Sequence, residues 1–133
     1  MIFLRLGEIP GEWLGVRLLG VLLSLYAATI LPWAATTMGR LLVPQAIMSH
    51  DHALVMAGPY RLLRHPAYSG DLALWLGSAL GTLNAYLLAL WPIIVIGVAA
   101  QARMEEQLLE SKFGEAYRTY AQRVGRFIPR LWA

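Results

Sequence analysis

The sequence predicts an all-α integral membrane protein: about three transmembrane helices and a C-terminal amphipathic helix in a single domain of 133 residues. Three observations predict it. Residues 18–38 and 72–102 contain no charged side chain, and about 20 apolar residues are enough for a helix to cross a hydrocarbon core about 30 Å thick. Charged residues make up 14% of the chain and hydrophobic ones 58%, whereas soluble domains carry about a quarter charged residues. The basic residues crowd the ends of the apolar runs, which suits anionic lipid headgroups better than nucleic acid. With no cysteine in the chain, disulfides, thiolate metal sites and a cysteine nucleophile are excluded.

The opening stretch MIFLRLGEIPGEWLGVR reads as a poor secretory signal. Glu8 and Glu12 spoil a positive start, and the apolar run that follows is too long. A retained first span over 13–38 is expected. Trp13 and Trp33 stand about 30 Å apart on a helix, which suits an aromatic at each interface. Arg17 is close enough to the start to snorkel, and Pro32 kinks the helix or marks its last turns.

The run 72–102 is too long for one straight span. GTLN, residues 81–84, offers a turn, and the expected arrangement is a hairpin of 66–83 and 85–112, the last turns emerging into water. Charge supports this reading. The hairpin puts Arg40, Arg61, Arg64, Arg103, Lys112, Arg118, Arg123, Arg126 and Arg130 on one side and leaves only Arg5 and Arg17 on the other. The positive-inside rule then places the loop 39–65 and the tail in the cytoplasm, with the N-terminus outside. Gly70, Gly77 and Gly81 fall near one face of the second helix, a small-residue pattern for close packing. In GEAYRTYAQRV, Ala116, Tyr117, Tyr120, Ala121 and Val124 share one face, so 115–124 is expected to be an interfacial amphipathic helix.

Two stretches carry candidate chemistry. In GPYRLLRHPAYSG, residues 58–70, Gly58-Pro59 signals a turn, and His65 is pushed towards extended backbone by Pro66. Pro66 suits the first turn of a helix. His65 then sits near the N-cap, with Tyr68 and Gly70 in the first turns, where free N–H groups favour negative charge. In ARMEEQ, residues 102–107, Arg103 and Glu106 share a helix face, while Glu105 and Glu106 point about 100° apart. The hairpin brings the two stretches together at one membrane surface. No metal site is expected: His50 and His52 of SHDH cannot share a helix face, and no further ligand has a recognisable spacing.

LVMAGPYRLLRHPAYSG followed by RMEEQLLESKFGEAYRTYAQRVGRFIP resembles the isoprenylcysteine carboxyl methyltransferase family and the related phospholipid methyltransferases. Their signature is a GPY-R-x-x-RHP-x-Y-x-G loop, a downstream R-x-x-E-E, then FG-x-x-Y-x-x-Y and R-x-I-P. The resemblance covers about residues 54–131. It implies a membrane methyltransferase that binds S-adenosylmethionine without a Rossmann domain, in keeping with the lack of a strand leading into G-x-G-x-x-G.

The resemblance further implies a cofactor pocket formed by Tyr60, Arg61, Arg64, His65, Pro66, Tyr68, Gly70, Arg103, Glu105 and Glu106, with Arg103, Glu106 and His65 as the catalytic candidates. The acceptor it implies is lipophilic and reached from the bilayer, a prenylcysteine-like carboxylate or an amine-bearing phospholipid. A non-catalytic scaffold of the same fold is the competing reading. Larger members carry more spans upstream of the loop, so a homo-oligomer could complete the acceptor tunnel. A bacterial inner membrane is the expected location.

Overall fold

The computed structural model describes residues 13–39, 54 and 56–130. SHDH, Arg40 and the N-terminal segment before Trp13 lie outside them. Among the described residues the chain is all helical. Helix α1 is Leu14–Gly39, α2 is Pro66–Thr82, α3 is Ala85–Phe113 and α4 is Glu115–Arg123, with a short 3-10 helix, Gly58–Arg61, ahead of α2. α1 and α3 are long and apolar enough to cross a membrane. α2, at 17 residues, is about 25 Å long. With Leu14, Leu18, Leu22, Leu90, Ile93 and Ile96 all exposed, this is an inside-out distribution suited to lipid and not to water.

α1 and α2 share the largest interface, and glycine is the reason. A Cβ on Gly20 would lie 2.7 Å from the Gly77 carbonyl, and one on Gly77 would lie 2.7 Å from Ser24 Oγ. One on Gly70 would lie 2.7 Å from Ile30 Cγ2. The two backbones therefore touch where helix pairs in lipid gain most from van der Waals contact. Pro32 does not end α1, which continues to Gly39.

α2 and α3 form the hairpin. Leu83, fully buried, caps α2 in the left-handed region at φ 52°. Asn84 then caps α3, its Oδ1 accepting from the N–H groups of Tyr86 at 3.0 Å and Leu87 at 3.1 Å. Trp91 Nε1 donates to the Leu72 carbonyl at 3.0 Å and ties the two helices. The hairpin returns the end of α3 to the start of α2.

Gly114, at φ 58°, breaks α3 from α4. The apolar face of α4 is turned onto protein. Tyr117, Tyr120 and Val124 are buried against Leu54, Leu109, Phe113 and Ala121, while Ala116 stays exposed.

Candidate functional site

The site is built where three segments meet: the loop before α2, the charged end of α3, and the tail after α4. The loop is rigid for local reasons. Gly58 takes φ 57°, and a Cβ there would lie 2.6 Å from Thr37 Oγ1, so neither the turn nor the space admits a side chain. Pro59 and Tyr60 are buried. The Tyr120 hydroxyl donates to the Tyr60 carbonyl at 2.7 Å. His65 caps α2 at φ −128°, ψ 66°.

The tail runs parallel to this loop. Arg64 N donates to the Gly125 carbonyl at 2.8 Å, and His65 N to the Arg126 carbonyl at 3.1 Å. Ser69 Oγ donates to the Phe127 carbonyl at 2.8 Å and pairs with Tyr26 Oη of α1 at 2.8 Å. Because the Ser69 hydrogen is committed to Phe127, Tyr26 is the donor in that pair. Loop, tail, α1 and α2 are thus bonded into one unit.

At the centre lies Glu106, only 9% exposed. Its Oε1 stands 3.0 Å from His65 Nε2 and 3.6 Å from Arg64 Nη1. Arg126 grips both oxygens, Nε to Oε1 at 3.0 Å and Nη2 to Oε2 at 2.8 Å. Two guanidiniums and an imidazole N–H keep this buried carboxylate ionised. Glu105 faces the other side of the histidine. It accepts from Tyr68 Oη at 2.5 Å, and its Oε2 is 3.8 Å from His65 Nδ1. The His65 ring stacks on Tyr68 at 5.5 Å between centroids and meets Phe127 at 6.0 Å.

Electrostatics fixes the form of His65. A carboxylate can only accept, so the ring hydrogen is on Nε2. Burial pushes the imidazole pKa below its ordinary value, against the opposing pull of Glu106. The ring is therefore neutral at pH 7, with a lone pair on Nδ1. Burial also raises the phenols of Tyr60, Tyr117 and Tyr120, so all three stay protonated.

Beside Glu106 opens a cavity of about 310 Å³ whose walls include Arg64, Arg103, Glu106, Gln107, Tyr117 and Arg126. It is predominantly cationic. Arg64 and Arg126 share one carboxylate, and Arg103 forms no ion pair among the described residues. Two buried polar atoms on these residues, Arg64 Nε and the Tyr117 hydroxyl, have no hydrogen-bond partner among the described residues. Buried polar groups are almost always satisfied, so this pair marks where a polar, partly anionic ligand would complete the site.

The structure brings Arg64, His65, Tyr68, Glu105 and Glu106 together, and Arg103 lines the cavity with Arg64 and Glu106. It does not bring in the others directly. Arg61 is exposed, Tyr60 is an anchor for Tyr120, Pro66 opens α2, and Gly70 packs on α1. The sequence sets Arg103 and Glu106 on one helix face; the structure gives Glu106 a forked partner in Arg126. Arg126, Tyr117 and Phe127 were not among the expected site residues. Arg126 and Phe127 fall in R-x-I-P and Tyr117 in FG-x-x-Y-x-x-Y, so the signal was present in the motifs that carry the family resemblance, the second of them on a stretch expected to be an interfacial helix.

Comparison with known proteins shows the family. The family model described as phospholipid methyltransferase matches residues 15–116. A probable protein-S-isoprenylcysteine O-methyltransferase of Oryza sativa subsp. indica is 30% identical over 129 residues, covering 92% of this chain and 65% of the rice protein. A protein-S-isoprenylcysteine O-methyltransferase of Tribolium castaneum is 37% identical over 64% of this chain and 31% of its own. The chain thus spans less than two thirds of the length of these curated relatives. The solved structure of the eukaryotic intramembrane Ras methyltransferase, isoprenylcysteine carboxyl methyltransferase, superimposes with a TM-score of 0.74 at 27% identity. It covers 86% of this chain and 42% of that one. Matched over most of its length, including the loop before α2 and both carboxylates of α3, the chain belongs to the phospholipid methyltransferase family.

Proposed function

We propose that this protein is an S-adenosylmethionine-dependent methyltransferase acting on a lipophilic acceptor at the cytoplasmic face of a bacterial inner membrane. The observation that carries the proposal is the juxtaposition of His65 with Glu106 at 3.0 Å, beside a cationic cavity with unsatisfied buried donors on Arg64 and Tyr117. When bound, the sulfonium cofactor supplies a methyl carbon that already carries a good leaving group, so the protein mainly binds, aligns and excludes water.

The residues have distinct tasks in this reading. Arg103 and Arg64 hold the cofactor's carboxylate by forked hydrogen bonds, with the Tyr117 hydroxyl beside them. Glu105 and Glu106 accept from its ribose hydroxyls or α-ammonium. The Tyr68 face flanks the sulfonium, a cation that an aromatic ring stabilises. Tyr60, Pro66 and Gly70 position the loop and the start of α2, and Arg61 faces the headgroups.

The acceptor enters sideways between spans. The relatives named for isoprenylcysteine favour a carboxylate on a lipid-like body. Such an acceptor is ionised at neutral pH and needs no base. Incubation with labelled S-adenosylmethionine and a membrane lipid extract, followed by identification of the labelled product, tests the proposal. A labelled lipophilic product is expected. A protein that binds no S-adenosylmethionine and labels nothing would be a scaffold of the same fold.

A further inference from the structure

Three consecutive carbonyls of the tail are each held by a donor from the loop or from α2. Arg64 N donates to the Gly125 carbonyl at 2.8 Å and His65 N to the Arg126 carbonyl at 3.1 Å. The next residue, Pro66, has no N–H to give. The third carbonyl, that of Phe127, is taken instead by the Ser69 hydroxyl at 2.8 Å, from the first turn of α2. Ser69 is 8% exposed. Its own N–H is spent on the His65 carbonyl at 3.0 Å, so only the side chain is left to do this. It stands at the open position of RHP-x-Y-x-G, where the family resemblance assigns nothing. Tyr26, halfway along α1, fixes which way the hydroxyl points. Its phenol lies on an apolar span with no water to bond and donates to Ser69 Oγ at 2.8 Å. The serine oxygen accepts there and keeps its hydrogen for Phe127.

We infer that Ser69, oriented by Tyr26, is a positioning residue: it locks the register of residues 125–127 and so delivers the Arg126 guanidinium to Glu106. One register fits. A Cβ on Gly125 would strike the Ile128 carbonyl, so no neighbour in the chain can take its place. A slip of one residue moves an extended chain by about 3.3 Å and turns each side chain to the other face. Arg126 would then lose both hydrogen bonds to Glu106, and Phe127 its contact with the His65 ring. The relay runs from a membrane span to the cationic cavity without itself touching a ligand: Tyr26 Oη to Ser69 Oγ, Ser69 Oγ to the Phe127 carbonyl, then one residue back along the tail to Arg126. Its bearing on the donor rests on the methyl-transfer reading above.

The test uses the full chain in detergent and nitrogen-15 spectra of its arginine side chains. The Arg126 Nε–H, assigned through Arg126→Lys, should exchange slowly with water in the wild type, because it is bonded to Glu106. Ser69→Ala should speed that exchange about tenfold, the effect of one net hydrogen bond. Tyr26→Phe should speed it by less. The Arg118 Nε–H, bonded to Glu110 at 2.7 Å where α3 meets α4, is the internal control and should keep its wild-type rate in both variants. Unaltered Arg126 exchange in Ser69→Ala would overturn the proposal. So would equal acceleration at Arg126 and Arg118, which would reduce Ser69 to general packing. Should Ser69→Ala fail to fold, Tyr26→Phe decides by the same two readings. Calorimetry well below the unfolding midpoint adds the donor arm. Ser69→Ala should weaken S-adenosylmethionine binding several-fold in the wild-type background and not further in Arg126→Ala, since both act through one clasp; additive losses would overturn the relay. A wild type that binds no donor but shows the selective change at Arg126 removes the methyl-transfer reading and leaves the register lock standing.

Discussion

Arg126 reaches back twenty residues to clasp Glu106 with two near-parallel hydrogen bonds, of 3.0 and 2.8 Å. That clasp joins the tail to α3 at the point where α3 also meets the loop before α2. Arg126→Ala removes the fork and leaves a buried carboxylate with weaker partners. Because Arg126 is itself 34% exposed, the loss of stability is put at about 1–2 kcal/mol, below that of a fully buried pair. Donor affinity should fall about tenfold, equivalent to about 1.4 kcal/mol. Arg126→Lys keeps charge without the fork and should recover only part of both. Thermal unfolding and titration calorimetry in detergent measure the two effects.

The centre of the cluster is less tolerant. His65→Ala and Glu106→Ala each remove a partner that the other cannot replace within the described structure. Both variants should insert in the membrane normally, since neither residue lies in an uncharged run. Each should weaken S-adenosylmethionine binding at least about a hundredfold, or about 2.7 kcal/mol. Unaltered binding in both would remove the assignment of this cluster to the donor.

Much of this arrangement is legible in the sequence. Uncharged runs mark α1 and α3 because lipid tolerates little else, and the GTLN turn places the hairpin that makes His65 and Glu106 neighbours. The adjacency of Glu105 and Glu106 implied two directions, and the structure puts one carboxylate on each side of the same imidazole. What could not be read was pairing across chain distance. Periodicity shows that Arg103 and Glu106 share a helix face but says nothing of Arg126, which reaches Glu106 only through the parallel run of 63–65 against 125–127. Gly20 was equally hidden: a lone glycine shows no spacing pattern until the helix it touches is in place.

Two tyrosines a helical turn apart should respond differently to loss of a hydroxyl. Tyr120 donates to the Tyr60 carbonyl at 2.7 Å, so Tyr120→Phe strands a buried acceptor and should cost about 1–3 kcal/mol. The Tyr117 hydroxyl has no partner among the described residues. Tyr117→Phe should leave the stability of the donor-free protein within about 0.5 kcal/mol of wild type and still weaken donor binding several-fold. Unfolding curves with and without donor separate the two.

The α1–α2 contact predicts a sharp steric limit. Gly20→Val places a branched side chain where the Gly77 carbonyl already stands. Overpacking of this kind costs about 1–3 kcal/mol, more where the obstruction is backbone and cannot turn aside. Gly97, with nothing within 4 Å of a Cβ, is the control: Gly97→Ala should be neutral or stabilising, as alanine is the better helix former. Equal thermal stability of the two variants would contradict the close α1–α2 approach.

Acid should loosen the site first. Burial holds the His65 pKa below its ordinary value of 6.5, so the unfolded chain binds the proton more readily than the folded one. By linkage, stability then rises with pH wherever the unfolded state carries the extra proton. The contribution of His65 is complete above about pH 6.5 and is lost as pH falls from there through the lower folded value. Thermal unfolding from pH 8 to pH 5 should show a midpoint that is level in the upper part of the range and declines below about pH 6.5. In His65→Gln, which has no ionisation there, this decline should flatten. A midpoint that instead rises on acidification would mean that the two glutamates outweigh burial and that the resting imidazole is charged.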